Sequence, residues 1–215
     1  MAKVVTVFRS GGDFLPHHVQ VLRRDVFDNS PPGTEFLCLS DVEIPGVLTA
    51  PLAHDWPGFW AKMELFAPGM KGDFLFMDLD TVILGSIDDF LKPRPLTTFG
   101  GALMWLPEEG RAEIWRLFIE DPKRIMSEYG GEDVFLRAVW AKQYTVPRTF
   151  VDQVISKRKM TLQWHTELPG QVAFRKYRGL LQPECSVTRS GNERIVIFSG
   201  LPRPWHTKEF GYVWR

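Results

Sequence analysis

Phe74-Leu75-Phe76-Met77-Asp78-Leu79-Asp80-Thr81-Val82-Ile83-Leu84 joins four apolar residues to two acids in i, i+2 relation, after which an apolar run resumes. An apolar run without polar alternation predicts a strand buried on both faces of a largely parallel sheet. On an extended chain Asp78 and Asp80 point the same way, roughly 7 Å apart. Two carboxylates aimed together at a sheet end repel, and burial worsens the repulsion. A divalent cation relieves both problems, and hard oxygen ligands suit Mg or Mn. Such a cation commonly neutralises a diphosphate. The segment therefore reads as a metal–phosphate site at the carboxyl end of a strand, where open α/β sheets hold ligands.

The 215-residue chain is long enough for one domain with a sizeable core and short for two. Lys plus Arg and Asp plus Glu both number 26, so the formal charge is zero. That balance gives no support to a nucleic-acid or polybasic membrane partner. Cys38 and Cys185 show no metal spacing and no disulfide framework. Met1-Ala2-Lys3 runs into a Val-rich strand, not an apolar leader, and no apolar run is long enough to span a bilayer. The expectation is a cytoplasmic protein without an integral membrane segment.

Strands are predicted at Lys3–Phe8, Glu35–Leu39, the acid-tipped run, 97–105 (one or two strands broken at Gly100-Gly101), 144–146 and Arg194–Phe198. Helices are predicted at His17–Phe27, Trp60–Ala67, Pro107–Asp121 with Pro at its start, and Glu132–Trp140, with a helical turn at Ile87–Leu91 capped by Ser86. Residues 44–55 read as irregular, and 147–192 carry no clear pattern. Strands alternating with helices predict one α/β domain over residues 1–215, its central sheet mixed but mostly parallel and flanked by helices.

Two chemistries use an Asp-x-Asp after a strand. One is the nucleotide-diphospho-sugar transferase of A-type fold, where the pair holds Mn or Mg against the sugar diphosphate. The other is the haloacid-dehalogenase-type phosphatase, whose first motif, Asp-x-Asp-x-Thr/Val, is matched by Asp78-Leu79-Asp80-Thr81-Val82 with Asp78 as nucleophile. In that phosphatase the strand opens the domain, whereas here it follows two strands and two helices. No convincing downstream Ser/Thr–Lys combination sits at a strand end.

The C-terminal run Ile195-Val196-Ile197-Phe198-Ser199-Gly200-Leu201-Pro202-Arg203-Pro204-Trp205 resembles the closing motif of glycogenin-like, family-eight glycosyltransferases, His-Phe-x-Gly-x-x-Lys-Pro-Trp. Phe198, Gly200, Pro204 and Trp205 match, and Arg203 takes the place of the Lys that holds the diphosphate. Arg can do that as a bidentate donor. The likeness extends in order along the chain and looks closest to compact bacterial or phage-type members. It implies a nucleoside site at Phe8, Arg9 and Ser10, and a helix at Trp60–Phe66 that carries Lys62 toward the donor. It implies a sugar-lining segment at Gly100–Trp105, and a Gly130-Gly131-Glu132-Asp133 helix start resembling Gly-Asp-Gln-Asp, whose last acid, Asp133, faces the sugar.

The resemblance thus implies a metal-dependent transfer from a nucleotide-sugar donor, UDP-linked, to an unknown glycan, lipid or protein acceptor. Residues up to about 105 form the donor half, and those from about 106 the acceptor side and closing loop. Asp78 and Asp80 bind the metal, and Leu79, Gly200 and Arg203 lie along the diphosphate. Lys62 and Asp133 act at the sugar, with retention at the anomeric carbon. The family's third metal ligand is a His, but Ile197 and Ser199 stand in the two places it could occupy. His206 is the substitute candidate. That departure motivates a further alternative, a catalytically lapsed sugar-nucleotide or glycan binder. His17 and His18 read as surface residues, Trp105, Trp115 and Trp140 as core, and the Lys-Arg-Lys run at 157–159 as a solvated or acceptor-side loop.

Overall fold

The computed structural model describes residues 2–98, 101–144, 163–164, 172–176, 194–199, 203–207 and 210. The chain opens with β1 (Lys3–Phe8), α1 (Pro16–Asn29), β2 (Glu35–Ser40) and β3 (Thr49–Pro51). A 3₁₀ helix, Gly58–Phe66, leads to β4 (Phe74–Met77) and β5 (Thr81–Ile83). A second 3₁₀ turn, Asp88–Leu91, precedes β6 (Thr97–Thr98) and β7 (Leu103–Leu106). Three helices follow, α2 (Arg111–Glu120), α3 (Pro122–Glu128) and α4 (Glu132–Tyr144). The last strands are β8 (Gln163–Trp164), β9 (Val172–Lys176) and β10 (Ile195–Ser199), and a 3₁₀ turn spans Pro204–His206.

Seven strands form one sheet in the order β3-β2-β1-β4-β7-β6-β8, and β5-β10-β9 form a second. β1 pairs in parallel with both β2 and β4, while β7 runs antiparallel to β4. The sheet is mixed, mostly parallel and flanked by helices. β4 is buried at all four positions. Phe74 and Phe76 join a cluster with Trp60, Phe66, Phe118 and Phe135 on one face. Leu75 and Met77 join Val4, Phe8, Val19 and Leu22 on the other. The period-two alternation of the strand therefore feeds two cores, which is why its sequence shows no polar residue. No helix among the described residues is long and apolar enough to cross a membrane.

Several local expectations are corrected. Asp78-Leu79-Asp80 is a tight turn and not extended chain: the Thr81 N–H donates to the Asp78 carbonyl at 3.1 Å, and β5 leaves for the second sheet. The segment at 58–66 is a 3₁₀ helix rather than an α-helix at 60–67. α2 starts at Arg111, not Pro107, because residue 108 is tied down as loop. The Glu108 N–H donates to Asp73 at 2.8 Å, and its carboxylate accepts the Gly72 N–H at 2.6 Å. Gly110 supplies the left-handed residue that turns the chain into α2, at φ 90°. The irregular stretch 44–55 contains β3, an edge strand whose Pro51 is compatible with that place. Tyr144 ends α4 instead of opening a strand, and residues 145–146 lie outside the described ones. α3, capped by the Asp121 carboxylate on the Arg124 N–H at 3.1 Å, was not expected.

Candidate active site

The turn after β4 is pinned before any ligand arrives. The Thr6 hydroxyl donates to the Met77 carbonyl at 2.8 Å, and the Asp78 N–H donates to the Ala102 carbonyl at 2.8 Å. The two acids thus hang from a strand end held by β1 on one side and the β7 approach on the other. Lys62, carried by the 3₁₀ helix, donates to the Asp78 carboxylate at 2.7 Å and to Glu132, the first residue of α4, at 3.0 Å. Its ammonium lies 5.6 Å from the Phe76 ring centroid. Asp80 is only 3 % exposed and is paired with the Arg203 guanidinium. Arg203 also lies 3.6 Å from Asp13 and over the Phe14 ring at 4.8 Å.

Four acids, Asp78, Asp80, Glu132 and Asp13, share this place with two cations, so formal negative charge is in excess. Burial lifts the Asp78 carboxyl above the usual range, with Lys62 opposing and Asp80 adding to the rise. Burial lifts Asp80 as well, against the pull of Arg203 and Lys62. Burial would depress the Lys62 ammonium, but Asp78 and Glu132 outweigh it and hold the group above its ordinary value. Two acids set close together at a strand end, in a site with an excess of negative charge, fit a small divalent cation bound through hard oxygens. Among the described residues no three His, Cys, Asp or Glu side chains group as a metal site. Asp78 and Asp80 are two hard-oxygen carboxylates, a ligand type that Mg completes with water and phosphate oxygens.

The other expected residues fall into two groups. Asp133 lies against two glycine backbones. A Cβ on Gly131 would come within 3.0 Å of the Asp133 carboxylate, and one on Gly101, whose φ is +79°, within 3.3 Å of its Cβ. Ser10 donates to Asp41 through its N–H at 2.9 Å and its hydroxyl at 2.7 Å, and Arg9 pairs with Asp55. Burial works to raise Asp41, yet the Ser10 donors hold it below the usual carboxylate range. Phe8 and Leu79 are core side chains, so only their backbone is left to meet a ligand. His206 is exposed, and its Nδ1 accepts the Arg203 N–H at 3.2 Å. Gly200, Gly100 and the 157–159 run lie outside the described residues.

His18 overturns its surface assignment. It is buried and stacks on Trp205 at 3.9 Å between centroids and 15° between planes, with Phe14 edge-on to the same indole. The closing motif is thereby docked on the first turn of α1. Trp105 is core as expected, and Trp115 is half-buried. Sequence reasoning gave no role to Glu132 or Asp41, and it placed Asp13 in the nucleoside turn, not beside Arg203. For Glu132 the sequence offers only a second acid beside Asp133 at a helix start, which does not say which of the two turns inward.

No family model matches the chain, and no curated protein matches it by sequence. Solved structures do. The glycosyltransferase GlyE of Streptococcus pneumoniae TIGR4 superposes with a TM-score of 0.60 at 12 % identity over 95 % of this chain. LgtC, in an active-site mutant form, gives 0.54 at 10 % identity over 98 % of this chain and 94 % of its own. LgtC crystallised as a galactosyltransferase with donor and acceptor sugar analogues gives 0.52 at 11 % identity. The fold is the glycosyltransferase A-type fold. The chain spans 57 % of the length of GlyE. With that fold in place, β4 is a central strand flanked by β1 and β7, and the phosphatase reading, which needs its motif on an opening strand, is set aside.

Proposed function

We propose that this chain is a metal-dependent glycosyltransferase that moves a sugar from a nucleotide-diphosphate donor, UDP-linked, to a glycan, lipid or protein acceptor. One observation carries the reading. In an A-type fold, the central strand ends in two acids, Asp78 half-buried and Asp80 buried, and each is paired with a cation from a distant element, Lys62 and Arg203. The fold likeness to GlyE and LgtC supports the same class of chemistry.

Glycosyl transfer leaves negative charge on the departing diphosphate. Arg203 and Lys62 are charged donors beside that position, and such donors fixed in advance are the main barrier-lowering device available here. A divalent cation, Mn or Mg, held by Asp78 and Asp80 supplies further neutralisation of the same diphosphate. Leu79 backbone and Gly200 line the phosphates, while Phe8 backbone, Arg9 and Ser10 hold the nucleoside. Asp133 faces the sugar and stabilises positive charge at its anomeric carbon. His206 joins the metal only through Nε2, because its other ring nitrogen serves the Arg203 backbone. Residues up to about 105 serve the donor and the rest the acceptor, within one cytoplasmic domain.

A thermal-shift series with nucleoside diphosphates and nucleotide sugars, with and without Mn, tests the reading. Mass action raises the melting temperature for whatever binds the native state. UDP and a UDP-sugar should stabilise in the presence of Mn, and EDTA should remove the effect. A protein indifferent to every nucleotide sugar would sink the proposal. Binding without turnover against an acceptor panel would instead identify a lapsed enzyme.

A further inference from the structure

We propose that Glu132 is a positioning residue of the donor site, acting through Lys62. The inference rests on the transferase reading. Glu132 is only 6 % exposed, and carboxylates are almost never buried unless paired. Its partner is Lys62, at 3.0 Å and 70 residues away in sequence. Lys62 in turn touches Asp78 at 2.7 Å and sits over the Phe76 ring.

An ammonium has three donors. Asp78 and Glu132 take two, which leaves one to meet a donor phosphate. Of the two carboxylates, Asp78 is the one at the metal turn, so its bond to Lys62 has to loosen when it serves a cation. Glu132 is not on that turn. It holds Lys62 aimed while Asp78 changes partner. A role as helix-dipole partner of α4 alone would be met by an exposed acid and would not bring Glu132 to the ammonium.

The test is a double-variant cycle read by binding. Mn and UDP affinities are measured by calorimetry for wild type, Glu132→Gln, Glu132→Asp, Lys62→Met and Lys62→Met/Glu132→Gln, with melting temperatures as fold controls. Glu132→Gln should weaken Mn·UDP binding about tenfold, the scale of removing one nearby charge. Glu132→Asp should recover most of the affinity. In the Lys62→Met background the Glu132→Gln change should cost less than about threefold, at most about half of its effect in wild type on a logarithmic scale, because its lever is gone. If Glu132→Gln does not fold, the comparison of Lys62→Met with the double variant decides. A fall there of tenfold or more overturns the inference, as does wild-type affinity in a folded Glu132→Gln. A wild type that binds no nucleoside diphosphate overturns the transferase reading and this inference with it. A wild type that binds, with a silent Glu132→Gln, overturns only the inference.

Discussion

Arg203 and Asp80 pair across 123 residues of chain, so the closing loop is latched to the acid turn by a charged contact. Arg203 carries a buried Nε without a hydrogen-bond partner, and the Thr81 hydroxyl beside Asp80 is likewise buried and unpaired among the described residues. Such groups are costly to leave unmatched, and a phosphate oxygen is the acceptor a guanidinium suits best.

Arg203→Ala should therefore weaken UDP binding by roughly 1.5–3 kcal/mol, the worth of a charge-assisted hydrogen bond. Uridine affinity should stay within twofold of wild type. Calorimetry with both ligands separates the cases. Equal losses for uridine and UDP would mean that Arg203 supports the loop and does not touch phosphate.

Asp78→Asn should not destabilise the ligand-free protein at neutral pH. Burial lifts the Asp78 carboxyl, so the native state holds this proton more tightly than the unfolded chain does. The stabilisation is present below the unfolded value of about 4 and is lost as pH rises through the folded one. The melting-temperature difference, variant minus wild type, should grow in the variant's favour from pH 4 to pH 7. A constant difference across that range contradicts the assignment. Mn-dependent UDP binding should vanish in the same variant.

His18 titrates with the opposite sign. Burial, with a smaller contribution from His17, pushes its pKa down to about 4. The unfolded chain then binds more protons between that value and about 6.5, so stability falls as pH drops through this window. The loss is on the order of 3 kcal/mol when complete. His18→Asn keeps an acceptor for the Leu15 N–H, which His18 Nδ1 accepts at 3.1 Å, but does not titrate. Urea midpoints at several pH values should show a flatter acid limb for the variant. Parallel limbs would remove His18 as the cause.

Gly101→Ala should cost about 1–3 kcal/mol through its left-handed backbone and displace Asp133. Gly69→Ala, with ordinary φ and open space around its Cβ, should be within about 0.5 kcal/mol of neutral or slightly stabilising. Melting curves check both. Donor-sugar binding should fall for Gly101→Ala alone.

The β4 core and the acid pair were legible because unbroken apolar sequence running into Asp-x-Asp has one economical reading in an α/β sheet. The spacing of Pro204 and Trp205 singled out Arg203, but its pairing with Asp80 was not foreseen, because it joins residues 123 apart. Glu132 was not legible, because adjacent helix residues point about 100° apart and nothing local says which acid turns inward. His18 was misread for a related reason: its burial is provided by Trp205, which no window around α1 contains. The start of α2 failed because Asp73 and Gly72 compete with the helix for Glu108, a tertiary effect that propensity does not see.

The acid turn is also the corner where the chain passes from β4 in the large sheet to β5 in the small one, whose partner is β10. Half of the site's supporting ladder is thus among the last parts of the described chain to be synthesised. While a ribosome is still making residues 100–190, β5 has an open edge and Asp80 has no guanidinium. Closing such a long loop is entropically late. A nascent chain therefore finishes its large sheet first, and the Arg203–Asp80 pair forms only when residues 195–206 emerge. On the proposed function, affinity for nucleotide would then report that β5, β10 and the closing loop have come together.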